Sequence, residues 1–384
     1  MSAVRRAIVS AAVAACGPGL IAACAVYDPS LLSTGASDAG IEAARDASGP
    51  NLDGAVEASD GCQHALPPPR PSISDLDGGT IAFTMALSNV DLGLDAGTAL
   101  SYDLDRTCTC PAAESCVPAT GAPPHCDGDG GRDNAAGALF SKFALISAGI
   151  FDSANITKRI SQGDVGMVLQ VSGYNGLADD SRVELSVYIS DGIAPGTSHP
   201  APAHDGSDVW SVDDSSVLGG LAAKPPFKSL FVDSNAYVAG GALVGSLDFP
   251  FALGGAQGLS LDLKGGLITG RLQKSGAGYG LTEGRMAGRW SSRAVLTAMQ
   301  YIPDPIVANQ WLCGSDLTYQ ALRGEICKAA DLTADLQNDN TSARCDALSI
   351  GIGFTSEAAA VGNVFQATPK AHPCGVTYTD QCGQ

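Results

Sequence analysis

Basic residues are scarce in this chain. Only 22 Lys and Arg stand against 40 Asp and Glu, a formal charge of −18. That balance repels nucleic acid and anionic membrane surfaces, so a nucleic-acid partner is excluded from the reading. Aromatics make up 6% and charged residues 16%, while Gly reaches 47. Such a composition points to strands and loops rather than to a long-helix protein. Beyond the first two dozen residues, no apolar run approaches the ~20 residues of a spanning helix. Also missing are a Gly-x-Ser-x-Gly nucleophile elbow and a His-Glu-x-x-His zinc helix. Gly265 to Arg271 has phosphate-loop glycine spacing but carries Arg271 where Lys belongs. Five His are scattered with no ligand spacing among them.

What is present begins at the N-terminus. Arg5 and Arg6 precede an alanine-rich apolar stretch, Ala7 to Ala23, which ends in Ile21-Ala22-Ala23-Cys24. Basic, apolar, small, then Cys is the order of a secretory signal. The tetrapeptide resembles the lipobox of bacterial lipoproteins. The resemblance implies export, cleavage before Cys24 and lipid on its sulfur, hence a membrane partner through that anchor. Val13-Ala14-Ala15-Cys16 also fits, but leaves Ala7 to Ala12 as a short apolar region, and cleavage after Ala25 would be plain secretion. Position 25 is Ala rather than the Asp that retains such lipoproteins at the inner membrane, which favours the outer membrane or cell surface. Removing residues 1–23 takes two Arg and no acid, moving the charge from −18 to −20.

Twelve Cys are present. With Cys16 in the signal and Cys24 lipidated, ten remain in two groups of five: Cys62, Cys108, Cys110, Cys116 and Cys126, then Cys313, Cys327, Cys345, Cys374 and Cys382. An even number in an oxidising compartment suggests a complete disulfide set. Five is odd, so complete pairing requires at least one bridge between the groups. Cys108, Cys110, Cys116, His125 and Cys126 also offer soft ligands, though their spacing matches no zinc pattern. The layout is similar to that of Cys-rich bacterial lipoproteins, a similarity that brings no activity with it.

Residues 24–71 read as an acidic, Pro-rich tether ending in Pro67-Pro68-Pro69-Arg70-Pro71. Residues 72–300 read as mainly β, an antiparallel sandwich or jelly-roll-like body. Ile81, Phe83, Met85 and Leu87, then Val183, Leu185, Val187 and Ile189, alternate with smaller or polar residues as one-face-buried strands do. Leu139 to Ile150 reads as a strand, Ala154 to Gln162 as helical turns. Leu259–Leu263 and Leu267–Leu272, around Lys264-Gly265-Gly266, read as a hairpin. Residues 301–384 read as a Cys-rich helical subdomain stapled onto that body, with a helix in Asp316 to Leu336 and one strand, Leu348 to Phe354.

One segment has the chemistry of a site. Asp127-Gly128-Asp129-Gly130-Gly131-Arg132-Asp133-Asn134 sets oxygen ligands on a Gly-rich turn, which suits calcium. Asp127, Asp129, Asp133 and Asn134 are the candidate ligands; no other cofactor is implied. The acid pairs Asp179-Asp180 and Asp213-Asp214 raise the alternative of a polysaccharide hydrolase. A calcium-stabilised carbohydrate-binding or adhesion module is the other alternative. The leading expectation is a non-enzymatic structural or binding lipoprotein that meets an extracellular glycan or protein. Mass spectrometry of the mature N-terminus with thiol labelling is expected to find a diacylglyceryl group on Cys24 and no free thiol; an unmodified Cys24 or a labelled thiol would contradict it.

Overall fold

Alternation in the sequence becomes a closed ring of strands. The structure is a computed structural model and describes residues 54–57, 62–94, 99–110, 112–146, 152–193, 201–252, 260–276, 278–366, 372–375 and 380–382. Cys16, Cys24 and the signal lie outside the described residues. Pro50–Gln384 forms one compact unit.

Eight strands make the ring: β3 (Ile81–Asp91), β4 (Gly166–Tyr174), β5 (Asp180–Ser190), β7 (Phe231–Ala239), β8 (Ala242–Ser246), β10 (Ser260–Ser275), β11 (Gly278–Ser291) and β12 (Ala347–Ala358). Each pairs antiparallel with the next, and β12 pairs back onto β3. The mainly-β expectation holds, but the body is an eight-stranded up-and-down barrel, not a sandwich or jelly roll. Closure leaves no free edge on the ring. β9 (Phe249–Ala252) adds alongside β10. β1 (Gly54–Glu57) pairs with β2 (Gln63–Leu66), and β6 (Val209–Asp213) pairs in parallel with β13 (Ala360–Phe365).

Every barrel strand contributes a fully buried apolar side chain: Met85, Leu169, Val187, Val238, Leu243, Ile268, Met286 and Ile352. An eight-stranded barrel is just narrow enough for side chains to fill. Glycines adjust the fit, since a Cβ on Gly284 would stand 2.8 Å from the Phe354 ring and one on Gly245 2.4 Å from Leu185. Phe83, Tyr174 and Tyr279 cluster near one end, with ring centroids 4.6–6.0 Å apart. Near the other, Trp290 meets Phe140 edge-on at 6.1 Å.

Phe140 lies on α1 (Ala135–Ile146), so the strand expected at Leu139 to Ile150 is a helix as far as Ile146, and the rest of it lies outside the described residues. The run holds Ala, Leu and Phe before its first β-branched residue at Ile146, and the Asn134 side chain accepts the Gly137 N–H at 3.2 Å, as a helix cap does. Asp152 caps α2 (Ser153–Ser161) in the same way. α3 (Ser292–Met299) and α4 (Leu317–Ala329) follow β11. Among the described residues no helix is long and apolar enough to cross a membrane.

The hairpin expected around Lys264-Gly265-Gly266 is one continuous strand, β10, with a bulge between Lys264 and Leu267. Gly265 takes φ +54° there, and a Cβ on Gly266 would collide with the Leu247 carbonyl at 2.6 Å. These glycines bend a strand rather than reverse it. The boundary expected at 300/301 does not divide the fold either, because β12 closes the barrel. The end of the expected tether is docked: Tyr237 donates to the Pro68 carbonyl at 2.6 Å and Arg70 to the Ser181 carbonyl at 2.6 Å.

Antiparallel order sends the long connections, 92–165, 191–230, 247–259 and 292–346, to one end. Two of them fold back over the outer face of β10–β12 as a cap. Gly351 and Gly353 leave room for it, since Cβ atoms there would meet Ser101 at 2.6 Å and Leu100 at 3.2 Å. The disulfides are Cys62–Cys108, Cys110–Cys126, Cys116–Cys345, Cys313–Cys374 and Cys327–Cys382. Cys116–Cys345 alone joins the two cysteine groups, tying one cap segment to the residues just before β12.

Gly284→Ala is expected to lower stability by about 1–3 kcal/mol, the cost of overpacking. Gly324→Ala, in α4 with open space around the new methyl, is expected to raise it by about 0.5–1 kcal/mol. Thermal unfolding of both variants checks this, and equal shifts would contradict the barrel interior assigned to Gly284.

Candidate metal centre

Three backbone segments lie side by side under the cap. The Ala65 N–H of β2 donates to the Gly130 carbonyl at 2.7 Å, the Asp103 N–H to the Ala65 carbonyl at 3.0 Å, and the Asp133 N–H to the Tyr102 carbonyl at 3.0 Å. This arrangement brings Asp103, Asp105 and Asp133 together. A carboxylate oxygen from each falls within 4.8 Å of the others, and all three residues are buried, at 3%, 5% and 2% exposure. Gly130 and Gly131 make it feasible. Both hold positive φ, and a Cβ on Gly131 would stand 2.7 Å from the Asp103 carboxylate.

Each carboxylate is oriented by the backbone. Thr107 N–H donates to Asp103 at 3.2 Å and to Asp105 at 2.9 Å; Leu104 N–H donates to Asp133 at 2.7 Å. The His64 ring faces the second oxygen of Asp103. Asp127 stands beside this group and accepts the Thr109 N–H at 2.5 Å. Asp331 accepts from the Ser349 hydroxyl and N–H at 2.5 and 2.8 Å. Arg289, 1% exposed, clamps Asp339 with both guanidinium nitrogens and donates to the Leu104 carbonyl at 2.8 Å.

Burial, and then like charge close by, raises acid pKa values. Burial pushes Asp103 up to about 6, against the hydrogen bond from His64. Burial, then repulsion from Asp105, pushes Asp127 up to about 7. Asp133 is held well above the carboxylate range by burial and by Asp105, Asp331 and Asp127. Asp105 is raised and Asp331 reaches about 6, burial again the main cause.

Of the residues expected to hold calcium, Asp133 falls in this cluster and Asp127 stands beside it. Asp129 is exposed at the tip of the turn. Asn134 is spent elsewhere: its carbonyl accepts Gly137 N–H and Gly351 N–H, tying α1 to β12. Asp103 and Asp105 were not found from sequence, although the Asp-x-Asp pair just before Cys108 was their signal. The soft-ligand set is consumed, since Cys108, Cys110, Cys116 and Cys126 are all disulfide-bonded. A second grouping, Cys62, His64 and Cys108, loses both sulfurs to their shared bridge. The acid pairs serve turns: Asp180 accepts from the N–H groups of Gly78, Asn175 and Arg182, Asp179 from Gly240 and Asp213 from Ser215.

No protein-family model, no curated protein and no solved structure matches the chain. The geometry of the cluster is therefore what speaks to function.

A carboxyl whose folded pKa is raised stabilises the fold fully below its unfolded value and loses that contribution as pH rises through the folded value. With Asp103 near 6 and Asp127 near 7, against 3.8 unperturbed, the melting temperature in chelator is expected to fall across about pH 4 to 7. Thermal scans in a pH series with chelator check this; a melting temperature that climbs through that window would contradict it.

Proposed function

We propose that the chain is an exported, lipid-anchored envelope protein. Its barrel is a structural or binding scaffold rather than an enzyme, and its cap is assembled around a divalent cation, calcium. The lipobox-like signal and five disulfides support an exported, oxidising location. The non-enzymatic reading is supported by the acid pairs, in which the carboxylates of Asp179, Asp180 and Asp213 are taken up by backbone N–H groups in turns.

The observation that carries the cation is the convergence of Asp103, Asp105 and Asp133. Ions buried without counter-charge cost several kcal/mol each. Carboxylate oxygens are hard ligands, suited to calcium or magnesium and not to soft metals. Calcium tolerates irregular oxygen cages, whereas magnesium demands a near-ideal octahedron and keeps its waters. The Ser115 hydroxyl, 1% exposed, lies beside Asp105 and lowers that group's pKa as a hydrogen-bond donor does. A bound cation would neutralise the carboxylates and turn their repulsion into attraction.

Isothermal calorimetry of the disulfide-intact protein at neutral pH is expected to show one calcium site, and saturating calcium is expected to raise the melting temperature. Asp105→Asn should abolish both responses, while Asp129→Ala should leave them unchanged. A wild-type protein that neither binds calcium nor shifts its melting temperature would end the proposal.

A further inference from the structure

A cavity of about 570 Å³ opens on the outer face of β7, β8 and β10 beside the cap. That volume lies in the range of small-molecule sites. Its floor is the chain at Asp103 and Leu104, but the Asp103 carboxylate itself is fully sealed beneath it. The cavity therefore shares a wall with the carboxylate cluster without exposing the oxygens that would hold the cation.

Two arginines line this cavity in a chain with a large acidic excess. Arg70 is occupied: it donates to the carbonyls of Ser181 and Asn235 and lies 4.7 Å over the Tyr237 ring. Arg106 is different. Its guanidinium has no ion pair or hydrogen bond among the described residues, and the residue is exposed. Arg106 also holds φ +58°, a left-handed conformation uncommon for any residue but Gly. Its own N–H donates to Asp103 and that of Thr107 to Asp103 and Asp105, which fixes the turn. Positive-φ side chains of this kind cluster at functional sites.

The facing wall carries one carboxylate, Asp233, against the two guanidinium groups. Both oxygens of Asp233 are taken by the N–H groups of Asn235 and Ser246, each at 2.8 Å. The Asn235 side-chain amide and the Ser246 hydroxyl remain without a hydrogen bond among the described residues. Leu66, Leu267 and Leu336 supply an apolar surface between the two sides. A free guanidinium fork selects a planar carboxylate. An amide and a hydroxyl across the cavity select a ligand that also carries hydroxyls.

We propose that this cavity binds a polyhydroxylated carboxylate of the uronic-acid class, its carboxylate on Arg106 and its hydroxyls on Asn235 and Ser246. The site deepens the binding-scaffold reading by naming a ligand class, and it stands independently of the cation because no cation ligand atom faces the cavity.

The test is calorimetric titration of the full mature chain with glucuronate and with galacturonate, and with glucose as the neutral control. At least one uronate should bind, with glucose roughly tenfold or more weaker, the scale of a charge-assisted hydrogen bond. Arg106→Gly suits the positive φ and keeps the backbone N–H. It should weaken uronate binding by about tenfold or more while leaving the melting temperature and calcium binding unchanged. Absence of binding by both uronates, equal binding of glucose, or an unaltered affinity in Arg106→Gly would each overturn the proposal. Loss of calcium binding alone would count against the metal centre and not against this cavity.

Discussion

Carboxylates pressed together out of water are the constraint on which the cap depends. Asp103, Asp105 and Asp133 are buried within 4.8 Å of one another, and Asp127, Asp331 and Asp339 surround them. Arg289 answers one of these charges, at Asp339. The five other carboxyls have raised pKa values, burial being the first cause and like charge adding to it at Asp103, Asp105, Asp127 and Asp133. Folding must either keep protons on the carboxyls or bring in a cation. At neutral pH protons are the weaker solution, because each must be held above its ordinary range at a cost in stability.

The rest of the molecule is arranged so that this cluster forms at all. Barrel closure gives the cap a rigid floor, the outer face of β10–β12. Cβ-free positions at Gly351 and Gly353 let residues 100–101 lie against that floor. Tyr102 reaches down to Thr269 of β10 at 2.7 Å, and Arg289 of β11 reaches up to Leu104. Three disulfides then restrain the segments that carry the acids: Cys62–Cys108 and Cys110–Cys126 within the cap, Cys116–Cys345 between the cap and β12. In the chain-entropy account such bridges act mainly by restricting the unfolded chain, by about 2–4 kcal/mol each. Here they also hold like charges at close range, a role that hydrophobic burial alone cannot fill. The same turn that presents Asp103 and Asp105 to the cluster presents Arg106 to the neighbouring cavity, so the two sites share one piece of backbone.

The sequence made the strands more legible than their closure. β3, β5 and β12 announce themselves by alternation, and Ile350, Ile352 and Phe354 do face away from Gly351 and Gly353. Pairing of β12 with β3 joins residues more than 250 positions apart, and no local pattern encodes that, which is why a sandwich and a barrel looked alike. α1 was hidden because a short apolar run has no readable period. Gly265-Gly266 misled because positive φ serves a bulge as well as a turn. Of the metal centre, Asp127 and Asp133 were visible in their Gly-rich turn. Asp103 and Asp105 were not, because an Asp-x-Asp pair among 40 acidic residues carries little information until the fold lays it beside β2.

The most direct test of the cation-centred cap is anomalous diffraction from crystals grown with calcium, phased on the protein alone. A calcium-centred cap gives an anomalous peak between the carboxylates of Asp103, Asp105 and Asp133, with oxygen distances of about 2.3–2.6 Å. A cluster without such a peak at neutral pH, its carboxyls paired by short hydrogen bonds instead, would show that protons alone hold the cap together and would contradict the account.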